Sequence, residues 1–174
     1  EDLSRGLGDV YKRQDLHYAL EKALNTNECC AEIAPAVARL EGWRPFRTEL
    51  SVCWRTSAPI VYVAGQLDAL LKTPTGSFVI IDLKRTAKPI VDAPGKFDTK
   101  LPPPLEGEYN THFVKFSLQL SMYCVMLKQI GICVDNESRY VLQVNPKTNQ
   151  TRLIKMRALD AAATKLLDKA SGVA

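Results

Sequence analysis

Apolar positions recur along the chain with two different periods. Leu16, Ala19, Leu20, Ala23 and Leu24 fall at helical spacing, which predicts a helix over 15–24 with Asp15 as its N-cap. A second helix is expected over 28–40, closing at Gly42. The period then shortens to two: Phe46, Thr48, Leu50, Val52 and Trp54 alternate with Arg47, Glu49, Ser51 and Cys53, the signature of a strand over 44–54. Two more β-prone runs, 60–71 and 78–83, flank Thr73-Pro74-Thr75-Gly76-Ser77 and read as a hairpin about that turn. Phe116, Leu120, Tyr123, Cys124 and Leu127 mark a helix over 114–130 that stops at Gly131. Strands are expected over 139–144 and 151–156, and Asp160 opens a final helix running to Lys169. Between 85 and 113 the chain is polar and includes Pro102-Pro103-Pro104, so it is expected to form a flexible flap. The order helix, helix, three meandering strands, helix, strand, strand, helix predicts an α/β (α+β) domain with a central mixed sheet of about five strands flanked by helices.

The hairpin carries the chemistry. Folding about Thr75 sets Asp68 opposite Asp82, and strand alternation places Lys84 on the face of Asp82. One face is then expected to gather two acids and an ammonium. Burying two such carboxylates unneutralised would cost several kcal/mol or more each, so the pattern asks for a divalent cation. Aspartate oxygens suit Mg²⁺ or Mn²⁺.

Composition narrows the setting. A chain of 174 residues, 46% hydrophobic, can bury about 70% of its unfolded surface and so supports one domain. The net charge of +4 is modest, but Lys72, Lys84, Arg85, Lys88, Lys96, Lys100 and Lys115 lie close in sequence to the two acids, which suits a polyanionic partner. The five cysteines are odd in number and lack a Cys-x-x-Cys pair, against both a disulfide framework and a cysteine metal cluster. Cys124 and Cys133, among apolar neighbours, are expected to be buried thiols, and a reducing, intracellular compartment (cytoplasmic or nuclear) follows. No apolar run approaches the roughly 18 residues of a membrane span. No serine or cysteine stands in a nucleophile motif, and no glycine-rich phosphate loop is present, against covalent hydrolases and nucleotide-driven motors. Residues 1–14 resemble a translated adapter tract, so they are expected to be non-native, with the native chain extending further upstream.

The remaining polar residues fall into an ordered series: Leu16-His17 with Glu21, Glu49 in Arg47-Thr48-Glu49-Leu50, Gly65-Gln66-Leu67-Asp68, Asp82-Leu83-Lys84, and Gln119-Leu120-Ser121-Met122-Tyr123. In that order they resemble the PD-(D/E)XK nuclease superfamily, in its RecB-like and lambda-exonuclease-like branch, and Arg47-Thr48-Glu49 with Asp82-Leu83-Lys84-Arg85 is similar to a subgroup of large DNA viruses. The resemblance spans nearly everything after residue 14 and implies a restriction-endonuclease-like core.

It also implies roles. His17, Asp68, Asp82 and the Leu83 carbonyl would hold Mg²⁺ or Mn²⁺, with Glu49 ligating the ion or its water and Glu21 orienting the helix or the imidazole. Lys84 would position or deprotonate an attacking water. Gln119 and Tyr123, one turn apart on one helix face, would hydrogen-bond the metal-bound acids or the DNA backbone, and Arg85 and Lys88 would contact DNA. The function implied is a metal-dependent deoxyribonuclease, of exonuclease type, acting on DNA ends or single strands in repair, recombination or viral genome processing. A selective endonuclease on the same fold and a catalytically silent nucleic-acid-binding module are the alternatives.

Overall fold

The computed structural model describes residues 2–56, 62–96 and 98–172. Five strands form one sheet in the order β1-β2-β3-β4-β5: β1 (Arg44–Arg55), β2 (Tyr62–Lys72), β3 (Phe78–Arg85), β4 (Val134–Val144) and β5 (Thr151–Lys155). Only β3 and β4 run parallel; the other neighbours are antiparallel, so the sheet is mixed as expected. The parallel pair requires a crossover, and helix α3 (His112–Gln129) supplies it.

Helices cover both faces. On one, α1 (Asp2–Thr26) and the short α2 (Ala34–Val37) bury Leu16, Leu20, Ile33 and Ala36 against Ala69, Leu71, Ile81 and Leu83. On the other, α3 and α4 (Asp160–Ala170) pack Leu120, Leu127 and Leu167 against Leu67, Leu70, Ile80 and Val141. Along β3 the residues go alternately to the two cores, Val79, Ile81 and Leu83 to one and Ile80 to the other, because successive side chains leave opposite faces of a strand. Each fully buried leucine or isoleucine here contributes about 1.5–3 kcal/mol. Asp82 lies inside that buried run, so its carboxylate depends on partners that the packed strands and helices supply.

Several local expectations are corrected. Asp15 is not an N-cap, because α1 continues back to Asp2. The helix expected over 28–40 shrinks to α2 and a single 3-10 turn, Ala38–Leu40; Pro35 stands in the first turn of α2, where the missing N–H costs nothing. Gly42 does follow the turn with φ +84°. Strand β4 begins at Val134, earlier than the expected residue 139. The hairpin strand expected from Ile60 is described from Tyr62, since Ile60 and Val61 lie outside the described residues. Cys133 is exposed, not buried, because it lies in the turn that enters β4; Cys124, inside α3, is buried.

The stretch between β3 and α3 carries little regular structure but is tied down. Ile90 is buried, Gln143 Nε2 donates to the Thr86 and Lys88 carbonyls at 3.0 Å each, and Arg157 Nη2 donates to Glu108 Oε2 at 2.6 Å. Thr111 closes it by capping α3, its hydroxyl accepting from Val114 N at 3.1 Å. No helix among the described residues is long and apolar enough to cross a membrane.

Candidate active site

The hairpin turns where its composition says it should: Gly76, at φ +87°, takes the backbone conformation glycine adopts most readily. The resulting register pairs Ala69 with Ile81 and Lys72 with Phe78, which sets Asp68 across from Asp82. The ladder ends at Ala69 and Ile81. Beyond it, the Asp68 side chain replaces a backbone acceptor, its Oδ2 taking a hydrogen bond from Leu83 N at 2.5 Å. The N–H and C=O of one strand residue point to the same edge, so the Leu83 carbonyl faces the same gap.

Strand β2 changes phase at this point. Leu67 enters the α3 core and Ala69 the α1 core, although residues two apart normally share a face. Across the sheet, the pairs Thr48–Ala69 and Leu50–Leu67 bracket Glu49 and Asp68, and Glu49 has φ +48°. Left-handed backbone at a non-glycine residue is uncommon and costs of order 1 kcal/mol or more. Here it turns the Glu49 carboxylate into the gap beside Asp68.

The two aspartates reach towards different helix layers, while both line one cleft with Lys84. Asp68 Oδ1 lies 3.2 Å from His17 Nδ1 on α1. Asp82 belongs to the α3 side: its Oδ2 is 2.7 Å from Lys84 Nζ and its Oδ1 accepts from Gln119 Nε2 at 3.3 Å. Gln119 Nε2 is also 3.0 Å from Tyr123 Oη, so the two α3 residues act as one unit. The Lys84 ammonium sits 5.1 Å above the Phe116 ring. Gly65 leaves room for Tyr123, since a Cβ there would stand 2.6 Å from Tyr123 Cε1.

These groups line one cleft of about 540 Å³ that contains His17, Glu21, Glu49, Asp68, Asp82, Lys84 and Gln119. Ligand atoms of His17, Glu49 and Asp68 all lie within 4.8 Å of one another. A divalent ion binds oxygen at roughly 2.0–2.6 Å, so donors at this spacing can share one ion. Asp82 stands outside that trio: its Oδ1 accepts from Gln119, while its buried Oδ2 lies beside Lys84 but has no hydrogen-bond donor, which leaves it open to a cation. Among the other expected site residues, Arg85 is half-buried at the end of β3 and Lys88 is exposed just beyond it.

The electrostatics agree with a site short of positive charge. The hydrogen bond to Asp68 raises the His17 pKa against the opposing effect of burial. Burial, then the charge of Asp68, raises Glu49. Burial pushes Asp82 up to about 6 despite Lys84, and burial also raises Tyr123. Protons are thus favoured on groups that a cation would neutralise instead, and a donor set of two carboxylates and one imidazole fits a divalent metal ion.

Three cleft residues had no role assigned from sequence: Gln14, Tyr18 and Gln66. Gln66 Nε2 donates to the Glu49 carbonyl at 3.3 Å. The signal for the first two was the spacing Gln14, His17, Tyr18, Glu21, which is one helix face.

Comparison with known proteins places these observations. The model of the PD-(D/E)XK nuclease superfamily matches residues 3–172. Among curated proteins, none matches the chain. The crystal structure of SSO0001 aligns over 95% of this chain and 59% of its own, with a TM-score of 0.50 and 15% identity, a likeness of fold. A "Putative exonuclease" from Eubacterium rectale aligns over 80% of this chain and 45% of its own, at a TM-score of 0.40 and 14% identity. The chain thus spans less than two thirds of either structure's length.

Proposed function

We propose, from the premise that this chain belongs to the PD-(D/E)XK nuclease superfamily, that it is a metal-dependent deoxyribonuclease of exonuclease type, acting on DNA ends or single strands. The observation that carries the reading is the convergence of His17, Glu49 and Asp68 donor atoms within 4.8 Å, beside a buried Asp82–Lys84 pair. A divalent cation held by His17, Glu49 and Asp68 would polarise a phosphodiester oxygen and make a bound water more acidic. Asp82 holds Lys84 in place, and the Lys84 ammonium positions the attacking water and offsets the negative charge that builds on the phosphate oxygens during in-line displacement. Gln119 and Tyr123 fix the Asp82 carboxylate from the α3 side. Arg85 and Lys88 are suited to the DNA backbone on the rim next to β3.

The test is a cleavage assay with Mg²⁺ or Mn²⁺ on linear and circular, single- and double-stranded DNA, with Asp82→Ala as control. Degradation of linear DNA with circular DNA spared supports the reading. Nicking of closed circles would assign an endonuclease instead. Cleavage of no substrate would leave a binding module, and equal cleavage by the Asp82→Ala protein would refute the assigned site.

A further inference from the structure

Lys84 has two holders. Among the described residues its polar and ring partners are Asp82, whose Oδ2 lies 2.7 Å from Nζ, and Phe116, whose ring centroid lies 5.1 Å from it. The lysine side chain is only 13% exposed, so the ring attracts an ammonium that has lost most of its water. Phe116 stands one turn ahead of Gln119 and two ahead of Tyr123 on one face of α3, so the helix that fixes Asp82 through Gln119 also sets the ring against Lys84. The ring is itself steadied. It packs against the α3 core, and the His112 imidazole, one turn earlier, stacks on it with centroids 5.8 Å apart and planes 22° from parallel.

The two holders differ in what a metal ion does to them. Asp82 Oδ2 is buried and lies beside Lys84 without a hydrogen-bond donor, so a divalent ion in the cleft draws on the same oxygen that pairs with the ammonium. Two positive charges at one carboxylate repel, and the grip of Asp82 on Lys84 weakens as the ion arrives. A benzene ring is no ligand for a hard ion that takes oxygen donors, so the hold of Phe116 is not contested. We propose that Phe116 is a positioning residue for Lys84, its ring keeping the ammonium in the cleft when the Asp82 carboxylate turns to a metal ion. The use to which the ammonium is put rests on the function proposed above, whereas the holding itself does not.

The holding is read by NMR on protein carrying ¹³C at the lysine ε-carbons, with the Lys84 signal assigned by its loss in Lys84→Arg. In EDTA the Lys84 ε-methylene protons should lie upfield of the other lysines, shielded by the ring, and should stay there as Mg²⁺ is raised. In Phe116→Leu they should join the others. An upfield signal that Phe116→Leu keeps, or one that moves to the ordinary position when Mg²⁺ is added, overturns the proposal. The consequence is read by placing a trifluorinated phenylalanine at position 116, which keeps the ring's shape and removes most of its attraction for a cation. Its kcat should fall about five- to thirtyfold, with the KM for DNA and the Mn²⁺ midpoint unchanged. A role in packing alone would leave the fluorinated protein fully active, so a wild-type kcat, or a change confined to KM, also overturns the proposal. A wild-type protein that cleaves no DNA would sink the function proposed above and leave the NMR result standing.

Discussion

Replacing Gly65 by alanine tests how tightly the site is built. The new Cβ would stand 2.6 Å from Tyr123 Cε1, against about 3.5 Å or more for ordinary carbon contact, so the ring must retreat by roughly 0.9 Å. Tyr123 cannot move freely, because its ring packs in the α3 core and its hydroxyl is 3.0 Å from Gln119 Nε2. Overpacking costs about 1–3 kcal/mol, and removing a strand glycine returns roughly 0.5–1 kcal/mol, so Gly65→Ala should destabilise by up to about 2.5 kcal/mol. For a chain of this length that lowers Tm by up to about 10 °C. The displaced tyrosine also loosens Gln119 from Asp82, so cleavage should fall further than stability does. Urea unfolding and cleavage are measured in two backgrounds, wild type and Tyr123→Leu, which removes the clashing ring atoms. The cost should vanish in the second background. An equal cost in both, or a more stable Gly65→Ala protein, would refute the steric argument.

Other consequences follow from buried charge and exposure. Asp160→Ala strips the partner from Arg139, which is 1% exposed, and should cost about 3 kcal/mol in urea unfolding, the low end for a broken buried pair because Asp160 is itself 43% exposed. Iodoacetamide at pH 8 should label Cys29, Cys30, Cys53 and Cys133 in the native protein; Cys124, buried and pushed up to about 12, should react only on unfolding, which mass spectrometry will read. Asp82 has its pKa raised from 3.8 to about 6, so the folded state favours its protonated form. In EDTA its contribution to stability is therefore fully present below about pH 4 and is lost as pH rises through about 6, by a few kcal/mol. The difference in pH slope between wild type and Asp82→Asn reads it, and parallel slopes would contradict it.

The hairpin was legible because two strong local signals agreed: the Thr-Pro-Thr-Gly-Ser turn fixed its length, and the flanking β-prone runs fixed its strands. Asp68 therefore stands across from Asp82 as the residues alone suggested. The phase change at Asp68 was not legible, since nothing in Glu49-Leu50 or Leu67-Asp68 announces a positive φ at Glu49. That one kink sends Asp68 towards His17 and leaves Asp82 to Lys84. The second helix failed for a different reason: residues 28–40 have helical composition, but Pro35 and tertiary packing confine the helical turn to its end. From sequence Arg139 marks only the start of a strand, because its partner Asp160 lies 21 residues on and only folding brings them together. In the same way, Gln143 gave no sign that it would hold the loop after β3.

In the proposed site, cleavage depends on a cation held by His17, Glu49 and Asp68. The most direct measurement is the initial rate of nucleotide release from linear DNA as Mn²⁺ is raised from zero, for wild type and Asp68→Asn. The expected result is no release in EDTA, a saturable rise with Mn²⁺ in the wild type, and a rate at least about a hundredfold lower in Asp68→Asn, the scale on which losing charge stabilisation in a transition state is felt. Release that persists in EDTA, or an Asp68→Asn curve that overlays the wild type, would contradict it.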